Sequence, residues 1–301
     1  MGITVRRFAG PAVYVGQLSS IRIVHLTDMH VGRVTPLEVQ RAAVRLANAQ
    51  APDLIALTGD FVCHSQAYLD QLTEVVRGFA APAIAVLGNH DHWSGADEVR
   101  RALRRGGVEV LDNRHTVITV RNQPLQVVGL DDAYTGHARR QEAIKGLRSD
   151  LPTIGLSHIA EEADGLWHCG VPLVLSGHTH AGQLTVARLH ELLVGKLGGH
   201  KYIHGLYGKR KTAADVTHGA VYVGAGIGSA IMPLRLGERG RREITVFELG
   251  LAPGAFHEHH AEQQARKGRK PSAAQIRRRA EYVLRKRIQR ETGKFRRGFF
   301  R

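Results

Sequence analysis

The stretch Ile21-Arg22-Ile23-Val24-His25-Leu26-Thr27-Asp28-Met29-His30 decides the fold. Residues 21–27 are a short run of β-branched and aliphatic side chains, which is the pattern of a buried strand, and the run stops at a polar cluster, Asp28-Met29-His30. The same arrangement recurs along the chain. Residues 54–58 lead into Gly59-Asp60, residues 83–87 into Gly88-Asn89-His90-Asp91, residues 153–157 into His158, and residues 173–176 into Gly177-His178-Thr179-His180. Helical patterns separate several of these runs. Over 36–48 Pro36 suits a first helical turn, and over 95–105 Ala96, Val99 and Leu103 share a face. This alternation predicts an α/β fold with its chemistry at the carboxyl ends of strands.

Further alternating stretches at 116–120, 125–130, 184–187, 220–223 and 243–249 include several with no helix between them. A second sheet packed on the first accounts for them, giving a four-layer α/β/β/α sandwich. Residues 188–215 read differently. Leu189, Leu192, Leu193 and Leu197 form a short apolar face, and Lys196, Lys201, Lys209, Arg210 and Lys211 follow among glycines, the mark of an excursion on the substrate side. The chain divides into an N-terminal segment (1–20), a catalytic domain (21–254) and a basic tail (255–301). No internal repeat is visible.

With 301 residues, 43% hydrophobic and 23% charged, the chain is globular, which excludes disordered and fibrous classes. Cys63 and Cys169 are its two cysteines, so a disulfide framework is excluded and a reducing compartment is implied. The longest uncharged windows, 165–187 and 216–234, are broken by His, Gly, Pro, Gln and Ser, and read as strands and loops. Arg6-Arg7 precedes an uncharged stretch that reaches only to Ile21 and lacks a cleavage site, which argues against an export signal. Charge is uneven: of the net +15, residues 255–301 contribute 15 basic against 4 acidic side chains.

Carboxylate, imidazole and amide oxygen together suit borderline divalent ions, manganese first, with iron or zinc as alternatives. In extended backbone, Asp28-Met29-His30 and His178-Thr179-His180 would each send alternate side chains to one side. Asp60, with two oxygens, could bridge two ions. A lone Asp-x-His arises by accident in a chain with 18 histidines, whereas Gly-Asn-His-Asp and Gly-His-Thr-His at strand ends, in this order, are specific. Cys63 reads as a small buried side chain, His25 as a core or supporting histidine, and His92 and Trp93 as borders of a pocket; His64 is a neighbour without an assigned role.

The ordered set resembles the calcineurin-like metallophosphoesterases over residues 21–249. Within them GHTHAGQ at 177–183, Gly-Leu-Tyr at 205–207 and VYVGAGIGSAIMPLRLG at 221–237 are similar to bacterial membrane-associated phosphodiesterases, a group that includes enzymes splitting the pyrophosphate of UDP-2,3-diacylglucosamine. The resemblance implies a first divalent ion on Asp28, His30, Asp60 and His180, and a second on Asp60, Asn89, His158 and His178. It implies that His90 stabilises the transition state or protonates the leaving oxygen, with Asp91 orienting its imidazole. A metal-bridging hydroxide would attack the phosphorus, and activity would fall as pH drops through the histidine range.

In the tail, Ile276, Ala280, Val283, Leu284 and Ile288 share one helical face, flanked by Arg277, Arg278, Arg279, Arg285, Lys286, Arg287 and Arg290. Phe295, Phe299 and Phe300 follow among Lys294, Arg296, Arg297 and Arg301. Such a helix fits an anionic membrane surface, with nucleic acid and an inert solvated extension as rivals. The sequence therefore predicts a binuclear metal-dependent phosphoesterase, cytoplasmic and peripheral at the inner face of the membrane. Its substrate would be a phosphodiester or pyrophosphate, lipid-linked in the leading reading. A phosphomonoesterase, or a tail-driven membrane- or RNA-binding scaffold, are the alternatives.

Overall fold

The computed structural model describes residues 2–63, 65–182, 194–196, 198–211, 219–229 and 235–292. The strand predicted at 184–187, the apolar face of Leu189, Leu192, Leu193 and Leu197, His64, and the aromatic and basic residues from Lys294 onward lie outside them. One six-stranded sheet has the order β1 (Thr4–Ala9), β12 (Glu243–Leu249), β2 (Ile21–Leu26), β3 (Leu54–Thr58), β4 (Ala83–Val86), β5 (Val108–Val110). The second has the order β10 (Gly205–Gly208), β11 (Ala220–Val223), β9 (Leu173–Ser176), β8 (Thr153–Leu156), β7 (Gln123–Gly129), β6 (Arg114–Val120). β2 to β5 run parallel, as do β7, β8, β9 and β11.

Parallel strands covered on both faces must be apolar along their whole length, and every residue of β3, β4, β8 and β9 is buried. Alternate side chains face opposite ways. Ile21, Ile23, Leu54, Ala56, Ile84 and Val86 meet Leu125, Val127, Ile154, Leu156, Leu173 and Leu175 between the sheets. Val24, Leu26, Ile55, Leu57, Ala83 and Ala85 pack outward under α1 (Leu37–Asn48), α2 (Leu69–Arg77) and α4 (Ala96–Arg105), which α3 (Asn89–Ser94) precedes. On the far side Val128, Val174, Val221 and Val223 pack with Ala143 of α5 (Arg140–Ala143) and Leu166 of α6 (Ala163–Trp167). The result is the expected α/β/β/α sandwich. A basic helix, α7 (Ala273–Glu291), follows it, opened by a reciprocal cap in which Ser272 Oγ accepts from Gln275 N (3.2 Å) and Gln275 Oε1 accepts from Ser272 N (2.8 Å).

Residues 4–9 are an integral edge strand, pairing parallel with β12. The Arg6-Arg7 pair is structural: Arg6 Nε donates to Glu243 at 2.5 Å and Arg7 Nη1 to Glu248 at 2.7 Å. The stretch after the last strand folds back over β10. Gln263 N donates to Leu206 O (2.8 Å), Arg266 N to Lys201 O (3.0 Å), and the buried Arg210 guanidinium meets Glu258 and Glu262, each at 2.6 Å.

Glu243 is buried between the sheets, where its carboxylate also accepts from Tyr222 Oη (2.8 Å) and Ala225 N (3.0 Å) and meets His204 Nε2 at 3.0 Å. Burial works to raise its pKa, but the His204 and Arg6 contacts prevail and hold it well below the usual carboxylate range. A depressed carboxylate contributes stability above its unfolded pKa of about 4.3, and that contribution fades as pH falls toward the folded value. Glu243→Gln strands a buried guanidinium and should cost about 3 kcal/mol at pH 7. Urea unfolding across pH should show this gap between wild type and variant narrowing below about pH 4.

Candidate metal centre

The carboxyl ends of β2, β3 and β4 in one sheet and of β8 and β9 in the other meet along one edge. Backbone bonds stitch the loops there: Asp28 N donates to Gly59 O (3.0 Å), His30 N to Asp60 O (2.9 Å) and Gly177 N to His158 O (3.1 Å). The side chains do not project from extended backbone. Asp28, His30, Asp60, His178 and His180 have φ of 50°, 44°, 54°, 75° and 52°. This left-handed region is unfavourable for residues with a Cβ, so tight turns after the strands, and not pleat alternation, aim these groups at one point. Close approach requires glycine beside them. A Cβ on Gly88 would strike Asp60 Oδ1 and sit 2.9 Å from His158 Nε2, and one on Gly177 would strike Thr27 Oγ1 and Asp28 Oδ2.

Among the described residues three groups of ligand-capable atoms result, the atoms of each within 4.8 Å of one another, and two of them carry the aspartates: Asp28, His30, Asp60 and His180, and Asp60, His158 and His178. Asp60 belongs to both. Its Oδ2 lies 3.6 Å from His30 Nε2, 3.4 Å from His158 Nε2 and 3.9 Å from His90 Nε2, while its Oδ1 accepts from His90 N at 2.9 Å. Asp28 Oδ2 is taken by Thr27 Oγ1 (2.8 Å) and His178 N (3.0 Å), which turns Oδ1 toward His180 Nε2 at 3.2 Å. His158 Nδ1 donates to Thr58 O at 2.7 Å, so the carbonyl fixes the ring and turns Nε2 toward Asp60.

A divalent cation fits this donor set. Asp28 Oδ1 and Asn89 Oδ1 are buried and accept no hydrogen bond among the described residues. Ring nitrogens face each other head-on, His30 Nε2 to His180 Nε2 at 3.0 Å and His178 Nδ1 to His158 Nε2 at 3.3 Å. Burial first, then neighbouring charged groups, pushes His178 and His180 well below the usual histidine range, so both are neutral, as metal ligation demands. Burial also pushes Asp28 up to about 7 in the metal-free chain. Against burial, His158 and the other facing imidazoles hold Asp60 well below the carboxylate range, and the same Asp60 contact pushes His158 up to about 10.

Asp28, His30, Asp60, His158, His178 and His180 fall in these two groups, and Asn89 and His90 follow β4 in the first turn of α3, but Asp91 acts differently from expectation. Its buried carboxylate accepts backbone N–H from Phe61 (2.8 Å), Val62 (3.3 Å) and Gly88 (2.9 Å) and makes no bond to the His90 ring. It ties the loops after β3 and β4 together. His92 turns away to Asp131 (2.8 Å), whereas Trp93 packs on His90 with ring centroids 4.6 Å apart. His25 is a core histidine, bonded through Nε2 to Thr58 Oγ1 at 2.8 Å. Sequence reasoning missed Tyr134, whose ring lies 5.1 Å from that of His178, and Arg235, whose Nη2 approaches His180 Nδ1 at 3.4 Å. Cys63, read from the sequence as a small buried side chain, is half-buried and groups with His30 and His90.

Residues 21–182 match the family model described as calcineurin-like phosphoesterase. The chain belongs to the calcineurin-like phosphoesterase family. As a member of that family it is a metal-dependent phosphoester hydrolase. Phosphodiesterase YaeI of Escherichia coli (strain K12) is 31% identical over 248 residues, covering 79% of this chain and 85% of that protein. The uncharacterized metallophosphoesterase YkuE of Bacillus subtilis (strain 168) is 30% identical over 234 residues, covering 76% and 78%. Among solved structures, the 5'-nucleotidase precursor from Thermus thermophilus shares the fold, with a TM-score of 0.50 at 14% identity over 91% of this chain and 59% of that one.

Because Asp60 stands in both ligand groups of this calcineurin-like site, Asp60→Asn should weaken both positions together. Elemental analysis after dialysis against manganese should find less than one ion per chain in the variant. A variant that retains two would show that Asp60 is not shared.

Proposed function

We propose that the chain hydrolyses a phosphodiester or pyrophosphate bond. Asp28, His30, Asp60 and His180 hold one divalent ion, Asp60, Asn89, His158 and His178 the second, and manganese is the metal to which this donor set is best suited. The observation that carries the reading is the pair of ligand groups meeting at Asp60. Bound there, two divalent ions supply Lewis acidity toward the phosphoryl oxygens and make water acidic enough to attack near neutral pH.

The chain's own contribution is positioning and proton supply. His90 lies in the first turn of α3 beside the centre, its side chain 12% exposed and its Nε2 3.9 Å from Asp60 Oδ2. Burial lowers its pKa below the usual histidine value, which favours a neutral ring that donates an N–H hydrogen bond to the charge building in the transition state; to protonate the leaving oxygen the ring must first take up a proton and pass on that one. Trp93 against one face of the ring limits its rotation.

The substrate class we favour is a lipid-linked nucleotide sugar of the UDP-2,3-diacylglucosamine kind, met at an anionic membrane surface. Among the described residues no helix is long and apolar enough to cross a membrane, so attachment is assigned to α7. That helix exposes Leu284 (56%) and Ile288 (48%) beside exposed Arg277, Arg278 and Arg285. Each Lys or Arg near an anionic leaflet contributes about 1 kcal/mol. α7 also packs against α3, so a surface that takes the helix brings lipid to the site.

With manganese, bis-p-nitrophenyl phosphate should be cleaved faster than p-nitrophenyl phosphate, and His90→Ala should lower kcat about 100-fold or more. Faster monoester cleavage would overturn the diesterase assignment. The full chain should sediment with phosphatidylserine vesicles and be released as salt is raised, and Leu284→Ser with Ile288→Ser should weaken this. Retention by RNA but not by vesicles would move the tail to nucleic acid.

A further inference from the structure

α7 lies across the mouth of the centre. Its half-buried face carries Ile276, Arg279, Ala280, Val283, Lys286 and Arg290, while Leu284 and Ile288, expected on the same face, are turned to solvent. On one side the Arg279 guanidinium lies 3.6 Å over the Tyr134 ring, and Tyr134 lies 5.1 Å from the ring of His178. On the other, Tyr282 meets Trp93 edge-on at 5.7 Å, Arg290 Nη1 donates to Trp93 O at 2.6 Å, and Trp93 covers His90. The helix thus spans from a histidine of one sheet's loops to a histidine of the other's.

Arg279 is placed unlike its neighbours. Arg285 and Arg287, on the outer side, reach Glu281 at 3.7 Å and Glu291 at 2.8 Å. Among the described residues no carboxylate pairs with Arg279. Stacking on Tyr134 uses the flat face of the guanidinium and leaves its in-plane N–H donors for another acceptor. One aromatic ring, 3.6 Å from the guanidinium and 5.1 Å from the His178 ring, separates this cation from the second ligand group, which puts Arg279 beside that group and not in it. A planar fork of donors is suited to two oxygens of a phosphate.

We propose that Arg279, positioned by the Tyr134 ring, binds the second, non-scissile phosphoryl group of a pyrophosphate diester and so selects that substrate class over simple phosphodiesters. The inference rests on the two-ion hydrolase reading above. Tyr134 is a positioning residue: its ring, and not its hydroxyl, carries the contact.

The test uses the full-length, manganese-loaded protein. Arg279→Ala should raise KM for UDP-glucose about tenfold or more, at least five times the rise for bis-p-nitrophenyl phosphate, with the loss in KM and not kcat; a charge-assisted hydrogen bond of about 1.5–3 kcal/mol corresponds to this range. Calorimetry should show the same variant losing about tenfold in affinity for α,β-methylene-ADP relative to AMP. Tyr134→Phe should behave as wild type, and Tyr134→Ala as Arg279→Ala. Equal KM changes for both substrates, or unchanged α,β-methylene-ADP affinity, would overturn the proposal. Should wild type turn over neither substrate, the hydrolase reading fails, and the calorimetric preference still decides the role of Arg279.

Discussion

One carboxylate, Asp60, faces the imidazoles of His30, His90 and His158 at an edge where both sheets have already excluded solvent. A buried charge is tolerable only when paired, and the pairing here reaches into both sheets. The loops after β2, β3, β4, β8 and β9 are arranged around that requirement. Glycines let Asp60 and His158 approach each other, and Asp91 contributes its carboxylate to holding the loop backbones together. The centre is consequently part of the interface between the sheets.

The cost of this geometry is borne by the backbone. Left-handed φ at Asp28, His30, Asp60, His178 and His180 concentrates strain of order 1–3 kcal/mol per residue at the chemistry. The surrounding sandwich, with aliphatic side chains interdigitated on both faces of each central strand, overdetermines those turns. Cations would then meet ligands already in place, which lowers the reorganisation that binding requires.

Much of the fold was legible because the central strands are covered on both sides and so read as uninterrupted aliphatic runs. β1 was not, since Arg6 and Arg7 break its apolar pattern; only the folded chain places Glu243 and Glu248 against them. β5 and β10 are too short or too glycine-rich to give a period. At the site, residue types and order pointed to the side chains that the fold gathers into ligand-capable groups, but nothing in the sequence signals left-handed backbone at an Asp or His. Nor does it show that Asp91 would serve the backbone, or that Tyr134 and Arg279, far apart along the chain, would stack. The helical period of α7 was readable, yet its orientation was set by Trp93 and Tyr134, rings that accept cations as readily as aliphatic groups.

The fold-back of residues 258–269 fixes the root of α7 to the body, through Arg210 on Glu258 and Glu262 and through Arg269 N on Gly199 O (2.8 Å), three residues before Ser272. Contact between the helix and the rim is therefore an intramolecular equilibrium with a high local concentration, independent of dilution. If the helix swings away, it stays leashed within reach, so a competing surface can borrow it and return it without the enzyme losing the piece.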